Sequence, residues 1–243
     1  MSLSEKNVQI LWASGLLKMS VENLVKALEN LGQCTPESVH GVVSECDIGV
    51  EDLGNWIDYD YPVSDSYGRK MVHDGGFFEV MVMCWRPGDY SAIHDHGKAE
   101  FGAVKIFGDV EHAMFKLEDQ KFTTISRERV KSGTTLKVTP SLIHQMGNPG
   151  KNNFFTLHVY GNVDLDGGIT SEARIFDYSR NELLFVNGGI FYLLPESEIV
   201  YRKKLPEADC TTRARDLIEA SKRAKAMGND SEYRRLMNEI SSG

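Results

Sequence analysis

The chain has 243 residues, a length that suits one domain with appendages better than two full domains. Its net charge of −8 and pI near 5.4 provide no basic stripe for nucleic acid, and no apolar run is long enough to span a membrane. The N-terminus lacks a charged-then-apolar signal pattern, and the scattered Cys34, Cys46, Cys84 and Cys210 form no CxxC pair, so free thiols in a cytoplasmic protein are expected.

Residues 5–31 read as helical. Ser20 is placed to cap a helix whose stripe of Val21, Leu24, Val25, Leu28 and Leu31 would pack on a core. Short helical pieces follow over 36–57, broken at Pro36 and Gly49, and Trp56, Tyr59 and Tyr61 read as packing groups. From Tyr67 the period changes. The run Phe77 to Trp85, between Gly75-Gly76 and Pro87-Gly88, reads as a buried strand. Further strands are expected at Phe101–Phe107, Glu111–Lys116, Phe122–Ser126, Thr134–Val138, Phe154–Tyr160, Ala173–Tyr178, Leu183–Asn187 and Ile190–Leu193, with glycine-containing turns between. Many short strands at this spacing mean a sandwich or barrel. Beyond Pro206 the chain turns helical and charged, with helices expected over 208–227 and 231–240 that serve as a surface clamp or oligomer contact.

Chemistry concentrates between Gly88 and Gly108. His94 and His96 stand two apart, so on a strand both imidazoles leave one face and can meet one ion, and imidazole suits iron, zinc, copper or nickel. His144 is the expected third ligand. The pattern G-x5-H-x-H-x3-E from Gly88 to Glu100, then P-x3-H-x3-N from Pro140 to Asn148, resembles the two boxes of the cupin superfamily, with Leu142 standing where the second box has glycine. On another strand, Thr156, His158 and Tyr160 share a face and can form a hydrogen-bond relay. Arg69, in Tyr67-Gly68-Arg69, can fork onto a carboxylate.

Taken in order, Tyr67-Gly68-Arg69, Cys84-Trp85, Ile93-His94-Asp95-His96, His144 and Thr156-Leu157-His158-Val159-Tyr160 resemble the motifs of the cysteine dioxygenase family, over roughly residues 50–195. The resemblance implies a mainly β cupin double-stranded β-helix, a jelly-roll-like barrel with N-terminal helices and a C-terminal helical extension. The expected layout is one cupin domain over 1–243, with N-terminal helices at 4–60, the barrel at 67–200 and the extension at 207–242. It further implies an Fe(II) enzyme that adds both atoms of O2 to the thiol of cysteine or a close small thiol, giving a sulfinic acid. In that scheme His94, His96 and His144 bind the metal, Arg69 and Tyr67 hold the substrate, and Tyr160, backed by His158 and Thr156, donates a hydrogen bond to the reacting groups. The expected partners are the thiol and O2, with neither nucleic acid nor membrane, in a monomer or small homo-oligomer.

The sequence departs from the family at two places. Phe101 stands where animal members carry the cysteine that crosslinks to the relay tyrosine, so Tyr160 is expected to be unmodified. Glu100 falls where ordinary cupins place a carboxylate ligand. This leaves two other readings: a three-His, one-Glu cupin enzyme acting on an organic acid or diketone, and a cupin that binds a ligand or metal without turnover.

Overall fold

The computed structural model describes residues 20–163 and 168–242. Helix α1 spans Val21–Glu29, and the Ser20 hydroxyl accepts from the Asn23 amide to satisfy one of its free N–H groups. The part of the expected helix over 5–19 lies outside the described residues. Helix α2, Pro36–Glu45, opens on a Thr35–Ser38 capping box, with Pro36 in the first turn, where its missing N–H costs nothing. A short helix α3, Val50–Leu53, and a 3-10 turn, Gly54–Trp56, follow.

Twelve strands come next among the described residues: β1 Gly68–Asp74, β2 Phe78–Trp85, β3 Phe101–Ile106, β4 Val110–Glu118, β5 Lys121–Val130, β6 Thr135–Val138, β7 Ile143–Gly147, β8 Phe154–Gly161, β9 Ala173–Asp177, β10 Glu182–Val186, β11 Ile199–Lys204 and β12 Glu207–Ala208. Helices α4, Cys210–Ala226, and α5, Asp230–Ser242, end the chain. No helix among the described residues is long and apolar enough to cross a membrane. The four cysteines are all unbridged.

One sheet runs β1-β2-β8-β3-β6 and another β12-β5-β4-β7, while β11-β10-β9 form a third. Isolated bridges join the last two: Tyr90 pairs with Gly147, and His94 pairs with both His144 and Ile175. The stretch from Tyr90 to His94 is thus laid between β7 and β9. The five-stranded sheet packs helices on one side and faces the other sheets on its other side. Val80, Val82 and Cys84 of β2, with Phe155, Leu157 and Val159 of β8, join the cluster holding Leu24, Leu28, Val39 and Val43 of the helices. The alternate residues Met81, Met83, Trp85, Phe154 and Tyr160 join the inner cluster with Val110 and Met146 of the facing sheet. This period of two is what turns Thr156, His158 and Tyr160 inward. The two facing sheets form the cupin double-stranded β-helix.

Three expectations are corrected. His94 and His96 do not sit on a continuous strand: His94 makes single bridges, and the chain turns at Gly97, whose φ is +56°. Ile190–Leu193 is not a strand, because the Ile190 and Tyr192 amides donate to the Tyr67 and Ser66 hydroxyls rather than to a ladder, and Leu193 has a φ of 57°. The strands also run past residue 200, since β11 extends to Lys204 and β12 follows. The side chains of β11 beyond Ile199 are exposed, so no hydrophobic alternation marks it.

Candidate metal and substrate site

The backbones of His94 and His144 exchange a pair of hydrogen bonds, at 3.0 and 2.9 Å, so their rings leave one narrow rung of sheet together. His96 lies just beyond, before the Gly97 turn, where an added Cβ would strike the Ser171 carbonyl. Asp95 pins this loop, pairing with the Arg174 guanidinium and accepting from the amides of Arg174 and Gly97. One nitrogen from each of the three imidazoles falls within 4.8 Å of the others, and all three side chains are buried.

The polar atoms of these rings are satisfied unevenly. His94 Nδ1 lies 2.9 Å from the Ala92 carbonyl, and His144 Nδ1 lies 3.0 Å from His112 Nε2. By contrast His144 Nε2 and both nitrogens of His96 are buried with no hydrogen-bond partner. Orphaned buried nitrogens are costly, and one nitrogen from each of the three rings, gathered within 4.8 Å of the others, fits a divalent transition metal accepting their lone pairs. Burial lowers His94 to about 4 and holds His96 and His144 well below their usual range, so all three are neutral and able to ligate near pH 7.

Glu100 is not part of this cluster. The turn at Gly97 breaks the strand parity that would have aimed it inward, and its carboxylate accepts from the Val163 amide at 3.0 Å. The Arg69 side chain borders the same cavity and makes no ion pair with a described carboxylate. Its Nη2 lies 3.7 Å from the Met81 sulfur, and its buried Nε has no partner. Tyr67 stacks on Trp85 with ring centroids 4.7 Å apart and accepts from the Ile190 amide.

The inward face of β8 carries a continuous relay. Trp85 Nε1 donates to Thr156 Oγ1 at 3.0 Å, Thr156 Oγ1 lies 2.7 Å from His158 Nε2, and His158 Nδ1 lies 2.7 Å from the Tyr160 hydroxyl. Burial lowers His158 to about 3 and raises the Tyr160 phenol, so both are neutral. The Tyr160 ring sits 5.1 Å from that of His96.

The structure therefore brings all eight expected site residues together. Sequence reasoning missed His112, on β4, which nothing local distinguishes from any other strand histidine. It also missed the inner wall of Met81, Met83 and Met146, and the closure by Ala173 and Ile190, which come from far along the chain. The free volume among these groups is about 30 Å³, room for roughly two waters.

The sequence profile of the family described as cysteine dioxygenase type I matches residues 16–162, which include all eight of these residues and His112. Cysteine dioxygenase type 1 of Danio rerio is 25% identical over 114 residues, covering 46% of this chain and 57% of that protein. The Homo sapiens protein of the same name is 27% identical over 113 residues, covering 46% and 54%. The chain thus matches little more than half the length of these relatives. Among solved structures, a protein with a double-stranded β-helix domain from Klebsiella pneumoniae is 18% identical, with a TM-score of 0.38, covering 48% of this chain and 84% of that one. A recombinant oxalate oxidase in complex with glycolate is 13% identical, with a TM-score of 0.39, covering 51% and 63%. With a profile match across more than half its residues, the chain belongs to the cysteine dioxygenase type I family.

Proposed function

We propose that the protein is an iron(II)-dependent thiol dioxygenase acting on cysteine or a close small thiol that carries a carboxylate, with the sulfinic acid as product. The observation that carries this reading is the meeting, in one cavity, of three neutral imidazoles, an unpaired Arg69 and the end of the Trp85–Tyr160 relay. His94, His96 and His144 would hold the metal. Iron(II) so held supplies open coordination positions and the one-electron chemistry through which O2 reacts with a thiolate.

The remaining work falls to the chain's own residues. Arg69 binds the substrate carboxylate through its free donors, and Tyr67 packs beside it. The relay has a direction. Thr156 Oγ1 accepts from Trp85, and among the described residues its own proton has His158 Nε2 as its partner; with that proton given to Nε2, His158 Nδ1–H donates to the Tyr160 oxygen. That leaves the Tyr160 O–H free to donate toward the reacting groups, and burial keeps the proton on the phenol. The walls of methionine and Ile190 are apolar and lower the local polarity, which strengthens each of these contacts.

The test is anaerobic loading with Fe(II), then oxygen uptake with cysteine and cysteamine and mass detection of the sulfinate. Cysteine should be turned over far better than cysteamine, because losing a charged bidentate partner costs about 2–4 kcal/mol, roughly 30- to 1000-fold. Arg69→Ala should narrow that gap, and His144→Ala should lose most of the bound metal. Equal rates for the two thiols in the unmutated protein would remove Arg69 as the carboxylate clamp. No thiol-dependent oxygen uptake at all would remove the dioxygenase reading.

A further inference from the structure

The three imidazoles are not held alike. His94 Nδ1 faces the Ala92 carbonyl, which can only accept, so its proton is fixed on Nδ1 and its Nε2 lone pair is free. His144 Nδ1 faces His112 Nε2 at 3.0 Å, and an imidazole nitrogen can either donate or accept. Two arrangements of this pair are therefore possible. If His112 donates, the His144 proton is forced to Nε2, which is buried and has no acceptor within reach. That arrangement strands an N–H and blocks the lone pair a metal needs. If His112 accepts, His144 carries its proton on Nδ1 and offers a bare Nε2 to the cluster. The His112 proton then lies on its own Nδ1, which is not among the buried unpartnered atoms.

We infer that His112 is a positioning residue, whose Nε2 lone pair fixes the tautomer and ring angle of His144 so that His144 Nε2 is presented to a divalent metal. The inference rests on the metal-site reading above and extends it to a residue on a different strand. The placement of His112 suits this task. It sits on β4, which is paired on both sides, opposite Met146 of β7 and Glu128 of β5, so the acceptor is held by two ladders. Partners that orient metal-binding histidines in this way also raise ligand basicity, and removing one typically weakens metal binding on the order of 10- to 100-fold.

The experiment compares the unmutated protein with His112→Leu, which fills the space without an acceptor, and His112→Gln, which restores an acceptor oxygen. Each metal-free protein is titrated anaerobically with Fe(II), and separately with Co(II), against a chromophoric chelator. Metal-free samples are also examined by long-range 1H–15N NMR of the imidazoles, and by thermal unfolding to separate loss of fold from loss of ligand. The expected result is a His144 ring protonated at Nδ1 in the unmutated chain and shifted toward Nε2 protonation in His112→Leu. Affinity should fall on the order of 10- to 100-fold in His112→Leu and be largely recovered in His112→Gln. Nε2 protonation of His144 in the unmutated chain would overturn the inference, as would equal weakening in both variants with the tautomer unchanged. The tautomer is read without metal, so a chain that bound no iron would sink the dioxygenase reading while leaving His112 to be judged separately. If His112→Leu does not fold, the unmutated spectrum and His112→Gln still decide.

Discussion

Thr156 is the hinge of the relay, because its one hydroxyl accepts from Trp85 and bonds His158 Nε2 at 2.7 Å, as donor in the proposed relay. Thr156→Val preserves shape while removing both bonds. It leaves Trp85 Nε1 unsatisfied and lets the His158 proton settle on either nitrogen, so the Tyr160 proton can turn back toward His158. The expected loss is about 1–3 kcal/mol, roughly 5- to 150-fold, in kcat with KM little changed, read from initial rates of oxygen uptake. Tyr160→Phe, which removes the final donor outright, should lose at least as much. At this scale the sequence was legible wherever period two operates: Thr156, His158 and Tyr160 share a face because a strand makes them do so. It was illegible where partners come from other strands. His112 reaches His144 only because β4 and β7 pair in a register that puts His112 opposite Met146.

Among the elements, α4 is anchored to the segments that lead into the site. Arg223 is buried, donates to the Val63 and Asp65 carbonyls at 2.8 and 3.3 Å, and pairs with Asp89 at 2.7 Å. The other Asp89 oxygen accepts from the Tyr61 hydroxyl and the Arg86 amide. One carboxylate therefore ties the C-terminal helix to the segment leading into Tyr67 and to the turn preceding the histidines. Arg223→Ala strands a buried Asp89 and should cost about 3–5 kcal/mol, read as a lower denaturant midpoint with an unchanged slope. The turn at Gly97 is equally exacting. Gly97→Ala combines a left-handed backbone with a collision against the Ser171 carbonyl, and should lower both stability and metal content. The sequence revealed the C-terminal helices by their pattern but not their attachment, since a buried arginine reads the same as a solvated one. The Gly97 turn was harder to see, because His-x-His suggests a strand that glycine then ends.

For the molecule as a whole, neutral buried histidines set the response to acid. His94 and His112 are lowered to about 4, His158 to about 3, and His96 and His144 well below their ordinary value, each chiefly by burial. An unfolded histidine titrates near 6.5, so below that pH the unfolded chain binds more protons than the folded one. Stability is then fully present above about pH 6.5 and declines as pH falls toward the lowered folded values. Thermal unfolding of the metal-free protein should show the midpoint falling steadily from pH 7 to pH 5. Metal should raise the midpoint at pH 7 and do so progressively less toward pH 5, because protons compete for the same nitrogens. A midpoint that held constant across this range would mean that the folded chain takes up as many protons as the unfolded one, and the burial of these rings would not govern the acid response.

The shared rung of His94 and His144 has a temporal consequence. Two of the proposed ligands are fixed relative to each other by reciprocal backbone bonds, whereas His96 stands outside the rung with neither nitrogen tethered. Capture of an ion should therefore proceed in two stages: a fast, concentration-dependent encounter with the preformed pair, then a first-order swing of His96 that locks the ion in place. Stopped-flow absorbance with Co(II) should resolve a second phase whose rate does not depend on cobalt concentration. His96→Ala should abolish that slower phase while keeping the first, and the ion should then leave as readily as it arrived.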